Sequence, residues 1–135
     1  MDYKEPEFYT HRNIRKISHS DNTSDICNML VGVAYNEPDP KYAYQLICKY
    51  LDHPNIQIIG LAIICIAHIS RIHRAVPINP TIELFVNLIT GPLAQNKEIS
   101  GRIGDAVSDF SIYQNEIYTY LINKFPNYFK NLGLI

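Results

Sequence analysis

The sequence predicts an all-α protein: a short α-α superhelix of about three antiparallel helix pairs, closed by a C-terminal capping helix. Three observations lead there. A long amphipathic pattern fills residues 55–76, NIQIIGLAIICIAHISRIHRAV, where Gln57, Leu61, Ile64, His68 and Arg71 share one helix face and Ile59, Ile63, Ile66 and Ser70 share another. Weaker copies flank it. Moved 41 residues on, the first stripe becomes Glu98, Arg102, Asp105, Asp109 and Ile112; moved 36 back, it becomes Asp21, Asp25, Asn28, Gly32 and Tyr35. The apolar stripe also recurs, as Ile99, Ile103, Ala106, Val107 and Phe110, and as Ile26, Leu30, Val33 and Ala34. Proline-bearing links punctuate the chain between these patterns. A repeat of roughly 35 to 45 residues, each with one apolar helix face, buries that face by stacking on its neighbours.

A first helix is predicted over 8–17. The polar cluster 18–24 is a turn, with Thr23 or Ser24 as the cap leading into a helix over 25–35. Asn36-Glu37-Pro38-Asp39-Pro40 then stops the chain and restarts it, Asp39 as N-cap and Pro40 at the first helical position, for a helix over 41–51 with Ala43, Leu46, Ile47, Tyr50 and Leu51 inward. The link Asp52-His53-Pro54 leaves room only for a tight turn, so this helix and the central one form an antiparallel hairpin. Pro77-Ile78-Asn79-Pro80 repeats the device, with Asn79 as cap and a helix to about Thr90, ended by Gly91-Pro92. A loop over 93–97 leads to the third long helix at 98–113, followed by a helix over 115–124, Pro126 and a short aromatic tail over 128–132. Ile117-Tyr118-Thr119-Tyr120-Leu121-Ile122 carries strand-forming residues. It is read as helix because a lone strand would have no partner.

At 135 residues and 47% hydrophobic content, the chain suits a single domain, 1–135, with a genuine core. The formal charge of −1 offers no footprint for nucleic acid or acidic lipid. The opening MDYKEPEFYTHRNIRK mixes acids and bases ahead of any apolar run, unlike a signal or transit peptide, and the apolar run 58–67 is too short to cross a bilayer. A cytoplasmic protein is expected. Cys27, Cys48 and Cys65 fall inside apolar helices without C-x-x-C spacing, as buried reduced thiols would.

Short link, proline, then a long amphipathic helix resembles the HEAT-repeat pattern, in which the second helix of a pair follows an Asp-Pro-like turn, here Asp52-His53-Pro54-Asn55. More specifically, Gly60-Leu61-Ala62, then Ala67-His68-Ile69-Ser70-Arg71-Ile72-His73, and later Gly101-Arg102-Ile103-Gly104-Asp105-Ala106, resemble small HEAT-like immunity proteins encoded beside bacterial contact-dependent growth-inhibition toxins. The resemblance covers roughly 25–110. The chain departs from the common HEAT pattern, which favours a basic residue after the first apolar position of the second helix; Ile59 and Ser100 stand near that place. The resemblance implies a binding protein that neutralises a cognate toxin by covering its active site, one to one, without a cofactor.

In such a stack the second helices line a recognition surface. Its expected residues are Asp21, Asp25, Asn28 and Tyr35, then Gln57, His68 and Arg71, then Glu98, Arg102, Asp105 and Asp109, a groove with acidic ends and a basic middle. That pattern suits a protein partner with basic patches, such as a nuclease toxin, whose capture charge steering would hasten. Tyr35 is the preferred anchor, since tyrosine is enriched in hot spots. Plainer roles stand beside these. Asp105 and Asp109, one turn apart, lack the third ligand a metal wants and suit a solvated face. Glu98 and Arg102 are an i,i+4 pair worth about 0.2 to 0.5 kcal/mol to the helix. His68, Arg71, His73 and Arg74 sit where cations complement a helix dipole, at about 0.3 to 1 kcal/mol each. His68 and His73, five apart, share no face for a metal. Tyr42, Tyr44, Tyr50, Tyr113, Tyr118 and Tyr120 are expected to bury rings and wet hydroxyls.

No G-x-S-x-G, H-E-x-x-H or phosphate loop is present, no cysteine has an evident histidine partner, and Gly101-x-x-Gly104 lies within a helix pattern, so no enzyme is expected. A non-inhibiting scaffold or adaptor that binds a peptide or regulatory protein is the alternative reading.

Overall fold

The computed structural model describes residues 5–135. Every regular element among them is helical: α1 (His11–Ser18), α2 (Thr23–Asn36), α3 (Pro40–Cys48) running into a 3-10 turn (Lys49–Asp52), α4 (Ile56–His73), α5 (Ile78–Thr90), α6 (Lys97–Tyr113), α7 (Asn115–Lys124) and α8 (Pro126–Asn131). The strand-like 117–122 is indeed helix, inside α7.

Polar caps set most of the starts. Thr10, Asn22, Asp39, Asn55 and Asn96 each accept a hydrogen bond from a backbone N–H of the first turn. Asp39-Pro40 behaves as expected. Three boundaries differ. α1 begins at His11, so Phe8 and Tyr9 lie outside it. Asn22, not Thr23 or Ser24, caps α2, because the first helical bond runs from Ile26 N–H to the Asn22 carbonyl. Asn79 lies inside the first turn of α5; Thr81 N–H bonds the Pro77 carbonyl, which makes Pro77 the cap residue. Pro80 is tolerated there because first-turn N–H groups have no intrahelical acceptor. The expected aromatic tail is largely α8, closed by Gly133 in the left-handed region (φ 81°), with Leu134 N–H on the Phe129 carbonyl and Gly133 N–H on that of Lys130.

α2, α4 and α6 form a row with α4 in the middle; α3 folds back on α4 as the expected hairpin, and α7 packs on both α5 and α6. α3 meets α5 through a buried hydrogen bond of 2.9 Å between the Tyr44 and Thr81 hydroxyls, so Tyr44 does not reach water as expected. Gln114 ties the two inter-helix links together, donating to the Val76 carbonyl at 2.8 Å and accepting from Val76 N–H at 3.2 Å.

The core lies where α2, α4 and α6 pack on one another and on the remaining helices. Ile58, Ile63, Ile66 and Ile69 of α4 are fully buried with Met29 and Leu30 of α2 and Ile99, Ile103 and Phe110 of α6. Burial of each such side chain contributes about 1.5 to 3 kcal/mol. Phe85 of α5 meets Phe110 edge to face at 5.3 Å. Of the five residues expected inward on α3 and its 3-10 turn, Ala43, Leu46 and Ile47 are buried, while Tyr50 and Leu51 are half-buried.

Taken whole, Ile56–His73 is long and apolar enough to cross a membrane, with mean hydropathy 1.7. Here most of its apolar side chains pack into the core, while Ile56 and Ile72 stay exposed. Burial pushes the Cys65 thiol up to about 12 and the Cys48 thiol up to about 11, and raises Cys27 as well, so none is a ready nucleophile.

Candidate functional site

The side chains of the row α2–α4–α6 that do not enter the core form one face. Where the C-terminal ends of α2 and α4 meet, it carries a three-residue clasp. Arg71 Nη2 donates to the Tyr35 hydroxyl at 2.9 Å and meets His68 Nδ1 at 3.2 Å, and its guanidinium lies 5.5 Å from the centre of the Tyr35 ring. The Tyr35 and His68 rings stand 5.0 Å apart at 45°. His68 and Arg71, three apart, share a face of α4, and packing of α2 on α4 brings Tyr35 alongside. Burial, then the charges of Arg71 and Arg102, lower the His68 pKa from 6.5 to about 4. His68 is therefore neutral at pH 7 and Arg71 carries the clasp's charge.

α6 supplies the acidic flank. Glu98 Oε1 accepts from Arg102 Nε at 3.2 Å. Their side chains cross α4 at Gly60, where an added Cβ would meet Arg102 Cγ at 3.1 Å and Glu98 Oε1 at 3.2 Å. This exposed pair is worth little to stability. Asp105 is exposed. Asp109 is half-buried; burial raises its pKa, the Asp105 charge adds to that, and Arg71 opposes it. Arg71 is thus shared electrostatically between the clasp and the α6 acids.

Of the residues the sequence nominated, Tyr35, His68, Arg71, Glu98, Arg102, Asp105 and Asp109 fall on this one face across three helices. Gln57 is exposed in the first turn of α4, one turn before Gly60. Asp21 and Asp25 are exposed at the start of α2, and Asn28 lines a cleft of about 110 Å³ with Glu5, Pro6, Glu7, Tyr9 and Val31.

The N-terminal segment parts those three from the clasp. Residues 5–9 lie across α2 at Gly32, which is buried: an added Cβ would stand 2.4 Å from the Glu7 carbonyl oxygen and 2.5 Å from the Tyr9 ring. Asn36 Nδ2 holds the segment by donating to the Pro6 carbonyl at 2.9 Å. Gly32, expected on the open stripe, is therefore covered. The signal for this was a glycine in mid-helix, which costs helix stability and often marks close backbone approach.

Among the described residues, no group of three or more His, Cys, Asp or Glu is placed to hold a metal ion. Ile112, at the end of the α6 stripe, is 71% exposed, a bare apolar side chain beside the polar ones.

No protein-family model matches the chain. No curated protein matches it either. Among solved structures, it is similar to a chain in the crystal structure of a CDI complex from Cupriavidus taiwanensis, with a TM-score of 0.71 and 21% identity, over 84% of this chain and 98% of that one. At that identity the likeness is one of fold.

Proposed function

We propose that this chain is an immunity protein of a contact-dependent growth-inhibition system, a HEAT-like stack that binds a cognate toxin domain through the α2–α4–α6 face and covers its active site. The observation that carries the reading is the fold match to a chain of a CDI complex, which extends over 84% of this chain and 98% of that one and so takes in far more than one hairpin. The row of α2, α4 and α6, with α3 folded back on α4 and α7 packed on α6, supports the HEAT-like description. The mixed-sign face supports a protein partner. The Asp105 and Asp109 carboxylates favour basic patches opposite, as on a nuclease that holds phosphates. The chain acts in the cytoplasm, one to one, without catalysing a reaction or needing a cofactor.

The test is genetic and simple. Where the reading frame directly upstream ends in a toxin domain, expression of that domain alone arrests growth, and co-expression with this chain restores it. Growth arrest that persists despite stable co-expression of both proteins overturns the reading.

A further inference from the structure

The clasp has a defined hydrogen-bond polarity, which follows from Arg71 alone. A guanidinium only donates. The Tyr35 hydroxyl oxygen and His68 Nδ1 must therefore both be acceptors toward Arg71 Nη2. Two consequences follow. His68 is the tautomer with its proton on Nε2, and the Tyr35 O–H is free to donate elsewhere. Both Nη2 hydrogens are used within the clasp, which leaves those of Nη1 and Nε. The clasp thus leaves unused donors on all three side chains, the Tyr35 O–H, the His68 Nε2–H and the remaining Arg71 N–H groups, around one positive charge.

A cluster of donors about a guanidinium calls for an anionic acceptor. The flanking Asp105 and Asp109 decide which kind. An extended phosphate backbone laid over Arg71 would run against both carboxylates. A single carboxylate seated among lysines and arginines fits both parts, the acid on the clasp and its basic neighbours on the α6 acids.

Resting on the immunity reading above, we infer that Tyr35, His68 and Arg71 form a receptor for one side-chain carboxylate of the toxin, an Asp or Glu set within its basic surface. Tyr35 is 37% exposed, so its hydroxyl is within reach of a partner, and its ring, held against Arg71 and His68, has little freedom left to lose on binding.

The experiment is a titration calorimetry series with the toxin domain encoded directly upstream, using the wild-type chain, Arg71→Met, Arg71→Lys and Tyr35→Phe. Arg71→Met should weaken binding by about 100-fold, as loss of one member of a buried charge pair does. Tyr35→Phe, which keeps the ring, should weaken it by about tenfold through loss of one hydrogen bond to a charged group. Arg71→Lys should fall between, because a lysine cannot hold Tyr35 and still offer a fork of donors. Thermal melts establish that each variant folds, and Tyr35→Phe carries the test if Arg71→Met does not.

Double-mutant cycles against each exposed Asp→Asn and Glu→Gln of the toxin should find one acid whose loss no longer matters once Arg71 is gone. If the wild type binds while folded variants bind equally well, or no toxin acid couples to Arg71, the carboxylate receptor is wrong and the immunity reading stands. If the wild type does not bind the domain at all, both fall.

Discussion

Two glycines on neighbouring helices, Gly32 of α2 and Gly60 of α4, each admit a crossing segment, and the crossings differ in kind. At Gly32 the visitor is backbone and an aromatic ring, with the Glu7 carbonyl 2.4 Å and the Tyr9 ring 2.5 Å from where a Cβ would stand. At Gly60 it is the pliable side chains of Glu98 and Arg102, at 3.2 and 3.1 Å. One crossing closes the acidic start of α2 off from the clasp. The other leaves α4 and α6 joined in an open face. Helices of one repeat pattern thus carry different tasks, structural cover at one end and exposed charge at the other.

The largest effect is expected at the rigid crossing. Gly32→Ala forces the segment 5–9 off α2 and should cost about 1 to 3 kcal/mol, as overpacking does. Denaturant unfolding measures the loss, and limited proteolysis should show new cleavage before α1. Unchanged stability would mean that the segment does not rest on α2.

Next comes the clasp. The His68 pKa is lowered from 6.5 to about 4, so the unfolded chain takes up a proton first as the solution acidifies. Stability from this group is fully present above pH 6.5 and is lost progressively as pH falls toward 4. With a discount for partial exposure, the loss is about 1 to 2 kcal/mol. Asp109 acts in the opposite sense, since its raised pKa means that protonation relieves a cost of burial. Chemical denaturation across that pH range should show the decline in the wild type and a flatter profile in His68→Gln.

Gly60→Ala separates the two crossings most cleanly. The better helix former gains up to about 1 kcal/mol, and displacement of flexible side chains removes part of it, so the net change should stay within about 0.5 kcal/mol. A loss as large as that of Gly32→Ala would make the crossings alike. Gly101, exposed on α6 with nothing near its Cβ position, provides the baseline. Gly101→Ala should stabilise by about 0.4 to 1 kcal/mol in the same unfolding assay.

What was legible in the sequence followed from local rules. Asp39-Pro40 announces a cap because its chemistry is complete within two residues, and the shift of 41 residues that pairs His68 with Asp109 puts both on the α4–α6 face because helix periodicity survives packing. Even the strand-forming 117–122 was readable as helix from its context. Pro77 and Asn79 compete for one cap, and sequence alone does not say which carbonyl takes the first bond. The cover over Gly32 depends on where residues 5–9 travel through space. The His68 tautomer depends on an arginine hydrogen that periodicity cannot place. Of the nominated site, the clasp and the α6 acids came together, while Asp21, Asp25 and Asn28 were parted from them by residues 5–9, whose end, Phe8 and Tyr9, reads in sequence as the start of a helix.

The central claim of the proposal is that the open α2–α4–α6 face recognises a toxin partner, and association kinetics with a toxin domain that this chain neutralises test it most directly. The double variant Asp105→Lys/Asp109→Lys should associate at least about tenfold more slowly than wild type at low salt, with the gap closing as salt rises. Arg12→Glu/Arg15→Glu on the exposed side of α1 should associate no more slowly than wild type, since it adds acidic charge away from the face. Normal capture by the α6 variant together with slowed capture by the α1 variant would contradict the account.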